Sequence, residues 1–144
     1  MGISDILFQR NQDKAAKNLE AGLAFLETNK ANENVVVRES GLQYEVLKQG
    51  DGEFPTQSSN VTCHYHGTTI DGSIFDSSVQ RGQPATFPLN RVISGWTEGV
   101  PLMQVGSKFR FFIPPSLAYG DRQVGSDIGP NSTLIFEVEL LGIK

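Results

Sequence analysis

Two spacings of apolar residues divide the chain. Over residues 4–28 there is no proline, good helix formers dominate, and Ala15, Leu19, Leu23 and Leu26 recur at steps of four, four and three. That period places them on one face of an amphipathic helix, with Ser4 or Asp5 as the expected N-cap. Ile3, Ile6 and Leu7 form a second apolar group ahead of a polar run at 9–14, so one stripe of this helix is expected to be sticky. The Asn-rich stretch Asn29-Lys30-Ala31-Asn32-Glu33-Asn34 ends it and marks a junction.

Beyond the junction the period falls to two. Leu42-Gln43-Tyr44-Glu45-Val46, Val61-Thr62-Cys63-His64-Tyr65, Phe109-Arg110-Phe111 and Leu134-Ile135-Phe136-Glu137-Val138-Glu139-Leu140 alternate apolar with polar positions, which predicts half-buried strands of a largely antiparallel sheet. Asp51-Gly52 and Asp71-Gly72 are turn dipeptides. Among later segments only 92–103 has room for a short helix, opened by Ser94 or Gly95 and limited by Pro101.

Composition narrows the function classes. A length of 144 residues and 38% hydrophobic content suit one domain with an appended element, and 15 Gly with 7 Pro predict many turns. The net charge of -4 offers no general attraction to phosphate backbones, and no basic patch offsets it, so nucleic acid is not an expected partner. No apolar run approaches the roughly 18 residues of a membrane span, and the opening residues lack a secretory signal's basic and apolar regions. With a single cysteine, Cys63, incapable of an internal disulfide, the expectation is a soluble cytoplasmic protein, with an exported form processed before this sequence begins left open.

His64 and His66 stand two apart on a predicted strand and so share a face, as two metal ligands do, yet no third ligand lies at short range. Two ordinary strand histidines are the preferred reading, and no metal is expected. Cys63, on the opposite face, reads as a small core residue. There is no GxSxG, Walker-type loop, HExxH or CxxC, which leaves hydrolase, nucleotide-binding and thiol-redox chemistry without a motif. What stands out is aromatic residues beside turn signals: Tyr65, Phe75, Phe87, Trp96, Phe111, Tyr119 and Phe136. Taken singly each reads as core, although a large ring next to Gly95 is also able to floor a pocket.

Five segments then occur in one order: Tyr65-His66-Gly67; Asp71-Gly72 with Phe75-Asp76-Ser77-Ser78; Val92-Ile93-Ser94-Gly95-Trp96; Leu117-Ala118-Tyr119-Gly120; and Thr133-Leu134-Ile135-Phe136-Glu137-Val138-Glu139-Leu140-Leu141. In this the chain resembles FKBP-type peptidyl-prolyl cis-trans isomerases over about residues 40–144. Gly41-Leu42-Gln43-Tyr44 after the helix is similar to the bacterial macrophage-infectivity-potentiator branch. The resemblance implies an α+β fold, a twisted antiparallel sheet wrapped around a short helix and preceded by an N-terminal helix. Its segments are residues 1–34, helical segment and linker, and 35–144, isomerase domain.

The resemblance also implies a site. Asp76, Tyr119, Tyr65 and Phe136 are the expected catalytic residues, and Phe75, Arg81, Val92, Ile93, Trp96 and the loop residue Ile128 the expected substrate-binding ones, without metal or cofactor. The implied reaction is rotation about X-Pro bonds. The implied partners are proline-containing polypeptides, tacrolimus and rapamycin as inhibitors, and a second copy through the N-terminal helix. A chaperone or peptide-binding module with little catalysis is the alternative, and a structural adaptor dimerised through that helix is a weaker one. The sequence departs from the family pattern in three places. Ala85 replaces an aromatic common in eukaryotic members and is expected to open one wall. Gly129-Pro130 replaces Pro-Pro and is expected to loosen the loop 121–131, and Pro101 falls within the short helix.

Overall fold

The computed structural model describes residues 2–144; Met1, the first residue of the expected N-terminal segment, lies outside them. The expected helix is present as α1 (Ile3–Asn29). Its N-cap is Gly2 rather than Ser4 or Asp5, and the Asp5 carboxylate accepts the Gly2 N–H at 3.4 Å from one turn inside. The buried stripe is also different from the expected one. Leu19 and Leu23 stay exposed, at 39% and 58%, whereas Ala15, Asn18, Gly22, Phe25, Leu26 and Asn29 face the rest of the chain. The surface they meet explains the choice, because it presents polar groups that small and amide side chains can satisfy. Asn18 donates to the Pro130 carbonyl at 2.8 Å, and Asn29 donates to the Gln43 side-chain oxygen at 2.8 Å. Gln43 itself donates to the Leu26 carbonyl at 3.0 Å, which also accepts the Lys30 N–H at 3.0 Å. Phe25 packs on Phe112 with ring centres 5.9 Å apart.

Seven strands form one antiparallel sheet: β1 (Val35–Val37), β2 (Gln43–Lys48), β3 (Asn60–Thr69), β4 (Ile74–Ser77), β5 (Ala85–Pro88), β6 (Lys108–Ile113) and β7 (Leu134–Ile143). The order is β1-β2-β6-β7-β3-β4, and β5 pairs with the first half of β3 on the edge where β4 pairs with the second. The four alternating segments became β2, β3, β6 and β7. β1, β4 and β5 did not show in the pattern, being three or four residues long and, in β5, ending on a proline that disguises a strand. Asp71-Gly72 makes the expected turn between β3 and β4, where Gly72 N–H bonds to the Thr69 carbonyl. Asp51-Gly52 makes no hairpin; it lies in a long connection whose Gly52 N–H is held by the Val105 carbonyl.

Alternation along the strands gives the sheet one apolar concave face. Val61, Cys63, Tyr65, Phe109, Phe111, Ile113, Leu134, Phe136, Val138 and Leu140 all point into the core. Against that face lies α3 (Ser94–Gly99), after a short turn α2 (Ser78–Arg81). Ile93 is the N-cap of α3, so Ser94 and Gly95 already belong to its first turn. Pro101 falls in the 3-10 turn Val100–Leu102 that continues α3, near a helix start where its missing N–H costs little. Two glycines one turn apart set the distance of α3 from the sheet. A Cβ on Gly95 falls 2.7 Å from the Ile113 Cγ2, and one on Gly99 falls 2.6 Å from the Phe111 ring. No helix among the described residues is long and apolar enough to cross a membrane.

Gly99→Ala is therefore expected to lower stability by about 1–3 kcal/mol through overpacking, despite alanine's higher helix propensity. Chemical denaturation should show a lower midpoint with the slope unchanged. Gly142→Ala, where a Cβ meets no neighbour, should stay within about 0.5 kcal/mol of wild type.

Candidate active site

The space between α3 and the upper part of the sheet is a cavity of about 780 Å³, a size suited to a small molecule or a few peptide residues. Its floor is aromatic. Trp96, 4% exposed, rises from α3 and meets the edges of Tyr65, Phe87 and Phe136 at ring-centre distances of 5.6, 5.4 and 5.4 Å, with interplanar angles of 80–86°. Phe75 from β4 closes the box edge-on to Phe136 at 5.3 Å. Such edge-to-face arrangements suit the ring quadrupoles and lock each ring in place. Gly67 makes room for this, since a Cβ there falls 2.6 Å from Phe75 and 2.8 Å from Phe136.

The rim is polar. Tyr65 donates its hydroxyl proton to Asp76 at 2.7 Å, and Arg81 donates to the Tyr65 oxygen at 2.8 Å and to the other Asp76 oxygen. Ser77 caps α2 by accepting the Gln80 N–H at 3.2 Å, and the turn carries Arg81 back over Asp76. Burial pushes the Asp76 carboxyl up, but the hydrogen bonds from Tyr65 and Arg81 and the guanidinium charge outweigh it and hold the group below the usual aspartate value. Burial is the main cause raising Tyr65, which keeps that hydroxyl a donor at neutral pH.

Across the cavity stand Val92, Ile93, Ala118, Tyr119, Val124, Asp127 and Ile128. Among the described residues neither the Ile93 N–H nor the Tyr119 hydroxyl has an intramolecular hydrogen-bond partner. Two polar donors are thus left over the aromatic floor, and a third, the Trp96 indole N–H, is buried in it with no partner among the described residues. Nine of the ten expected site residues line the cavity; Arg81 does not, and braces Asp76 and Tyr65 from outside it. Phe87, Arg91, Ser94 and Arg122 also line it, and these four together with Ala118, Val124, Gly125 and Asp127 were not among the expected site residues. Phe87 carried a signal as an aromatic beside turn signals, and Ser94 and Ala118 as members of the ordered segments. Ala85 does not line the cavity; it pairs with Cys63 across the strands and packs against the core. Cys63 is buried and its thiol is pushed up to about 12 by that burial, which leaves it inert. His64 and His66 lie on the outer face of the sheet, where their Nδ1 atoms bond to Ser78 at 2.9 Å and Ser77 at 2.8 Å. No group of three or more potential ligands suits a metal among the described residues.

Comparison with known proteins agrees with this arrangement. A family profile described as FKBP-type peptidyl-prolyl cis-trans isomerase matches residues 51–141. The chain belongs to the FKBP-type peptidyl-prolyl cis-trans isomerase family. A second profile, the domain amino terminal to such isomerases, matches residues 3–46 of this FKBP-type chain. It is 51% identical to the FKBP-type peptidyl-prolyl cis-trans isomerase FkpA of Aeromonas hydrophila, over 99% of this chain and 53% of that protein. It is 47% identical to the outer membrane protein MIP of Legionella longbeachae, over 97% of this chain and 61% of that protein. The chain thus spans about half to three-fifths of the curated relatives it matches. The crystal structure of FkpA from Escherichia coli superposes with a TM-score of 0.90 at 43% identity, covering 94% of this chain and 63% of that one.

Asp76→Asn should cost about 1 kcal/mol or less at neutral pH, because the carboxylate is 43% exposed and water screens its pairing. Its folded pKa lies below the unfolded value of about 3.9, so the contribution is present above that value and lost as pH falls through the folded pKa. The gap between variant and wild type in thermal unfolding should therefore close below about pH 4. Trp96→Ala should cost about 3–5 kcal/mol by emptying the floor, and Trp96→Leu distinctly less.

Proposed function

We propose that the chain is a peptidyl-prolyl cis-trans isomerase acting on proline-containing polypeptides, by tighter binding of the twisted amide than of the planar one. The observation that supports this most directly is the pair of unpartnered donors, Ile93 N–H and Tyr119 hydroxyl, above a rigid aromatic floor. An X-Pro bond crosses a barrier of about 18–20 kcal/mol because rotation breaks amide resonance. Lowering it by roughly 5–7 kcal/mol brings turnover to about the millisecond scale. No covalent bond to the protein and no obligatory proton transfer is required.

The side chains divide the work. Out of conjugation, the amide carbon and nitrogen are less polar, and Trp96, Phe75, Phe136 and Tyr65 give that form a better surface than water does. The Ile93 N–H and the Tyr119 hydroxyl hold flanking carbonyls so that one bond turns while the rest stays in place. Asp76, kept ionised by Tyr65 and Arg81, makes a polar rim beside the rotating carbonyl, with no role as acid or base.

In protease-free relaxation of a Leu-Pro peptide, catalytic amounts of protein should accelerate cis-to-trans exchange. Asp76→Asn and Tyr119→Phe should lower kcat/KM while peptide affinity changes less, the Tyr119 loss being about 0.5–1.5 kcal/mol for one hydrogen bond. An unchanged relaxation rate at micromolar protein with peptide still bound would establish the peptide-binding module instead.

Tacrolimus and rapamycin are the proposed inhibitors, since an apolar cavity with two donors suits a macrolide carrying carbonyls. Quenching of the sole tryptophan, Trp96, reports their binding directly. Self-association through α1 is supported by the exposure of Ile3, Ile6, Leu7 and Phe8 on its first half. Light scattering should give a mass above the monomer that falls on Phe8→Glu; a monomer at all concentrations rejects it. A cytoplasmic location rests only on the unpaired Cys63, and cell fractionation is its test.

A further inference from the structure

The loop 121–131 supplies Val124, Gly125, Asp127 and Ile128 to the cavity wall, so its position decides whether the cavity is closed on that side. Its own bonds are few. Val124 and Ile128 pair across the tip, with N···O distances of 2.8 and 3.2 Å, and the Asn131 N–H closes the base on the Gly120 carbonyl at 2.8 Å. Arg122 N–H to the Tyr119 carbonyl, Gln123 to the Gly125 carbonyl and Ser132 to the Gly129 carbonyl add local bonds, and among the described residues the hydrogen bonds that reach the loop from elsewhere in the chain come from α1, more than a hundred residues earlier. Asn18 donates to the Pro130 carbonyl at 2.8 Å, Asn131 donates to the Ala15 carbonyl at 3.3 Å, and Lys14 reaches the Gln123 side chain at 3.4 Å. The helix therefore holds both arms of the loop. Gly129, expected to loosen this segment, is instead buried where α1 crosses, and a Cβ there falls 2.8 Å from the Asn18 amide and 2.9 Å from Lys14.

We infer that α1 is a brace for the cavity, with Asn18 as a positioning residue that keeps the 121–131 loop in its substrate-ready position. The inference rests on the isomerase reading for its effect on peptides, but the brace itself is independent of that reading. A loop that is ordered before substrate arrives spares binding the cost of ordering it. Without the brace, apparent affinity falls by the fraction of molecules whose loop is in place. Planar and twisted amide meet the same loop, so the loss is uniform binding, seen in KM and not in kcat. This separates Asn18 from Asp76 and Tyr119, whose loss lowers the rate of the chemical step.

The test uses the full chain. Asn18→Ala deletes the bond within a good helix former. Asn18→Asp keeps the volume and turns a carboxylate toward the Pro130 carbonyl. Hydrogen–deuterium exchange of backbone amides across 121–131 should speed by about three- to tenfold in Asn18→Ala, the factor set by one neutral hydrogen bond, and further in Asn18→Asp, with β7 still protected. KM for a Leu-Pro peptide should rise by the factor by which the fraction of molecules with the loop in place falls, with kcat within about twofold. Glu20→Ala, on the exposed side of α1, should change neither. Unchanged exchange across the loop in both Asn18 variants overturns the brace. Faster exchange with unchanged KM, or a fall confined to kcat, overturns its role toward substrate. A wild-type protein without isomerase activity would defeat the functional reading, while the exchange experiment and peptide affinity would still decide the brace.

Discussion

The close seating of α3 against the concave face of the sheet is the constraint on which the site depends. Gly95 and Gly99 let the helix backbone lie directly on Ile113 and Phe111, with no side chain between them. That places Trp96 among Tyr65, Phe87 and Phe136 at edge-to-face distances. A helix standing one methyl group further out would part those edges and soften the floor. Interiors at crystal-like density transmit such shifts instead of absorbing them.

Apolar floor and charged rim have opposite needs, and the chain meets both by separating them along two short elements. β4 carries Phe75 into the box and Asp76, its neighbour, to the rim of the same cavity, because the pairing with β3 slips by one residue at Phe75 and breaks the regular alternation there. Asp76 remains partly solvated, which keeps the cost of an ionised carboxylate small, and Tyr65 joins the two regions by packing its ring below while its hydroxyl bonds Asp76 above. The two histidines support this arrangement from behind. By bonding Ser77 and Ser78, His64 and His66 hold the start of the turn that returns Arg81 to Asp76. Their shared face, which by spacing alone suited a metal pair, is used for hydrogen bonding.

The first helix shows how an amphipathic pattern can mislead. Of the leucines at helical period only Leu26 is buried; the docking surface also presents a loop carbonyl, an amide and a phenylalanine, and Asn18, Gly22, Phe25 and Asn29 meet it beside Leu26. Burying Leu19 or Leu23 there would have left the Pro130 carbonyl and the Gln43 side-chain oxygen without partners, a cost comparable to the apolar gain.

By itself the sequence determined the elements whose signal is local. The proline-free run gave α1 its length, alternation set β2, β3, β6 and β7 with their inner faces, and the aromatic and glycine positions of the ordered segments pointed to the family and to the cavity residues. These follow from periods of 3.6 and 2 and from residue types that few other contexts need. Only the tertiary structure decided the rest. β1, β4 and β5 are too short to show a period and exist because a longer neighbour offers an edge. Phe87 joins the floor because β5 pairs with β3 in one register, Arg81 leaves the lining because α2 turns it outward, and α1 presents its amides to the sheet because of what waits there. Each of these depends on which distant backbone groups must find partners, and no window along the chain contains that information.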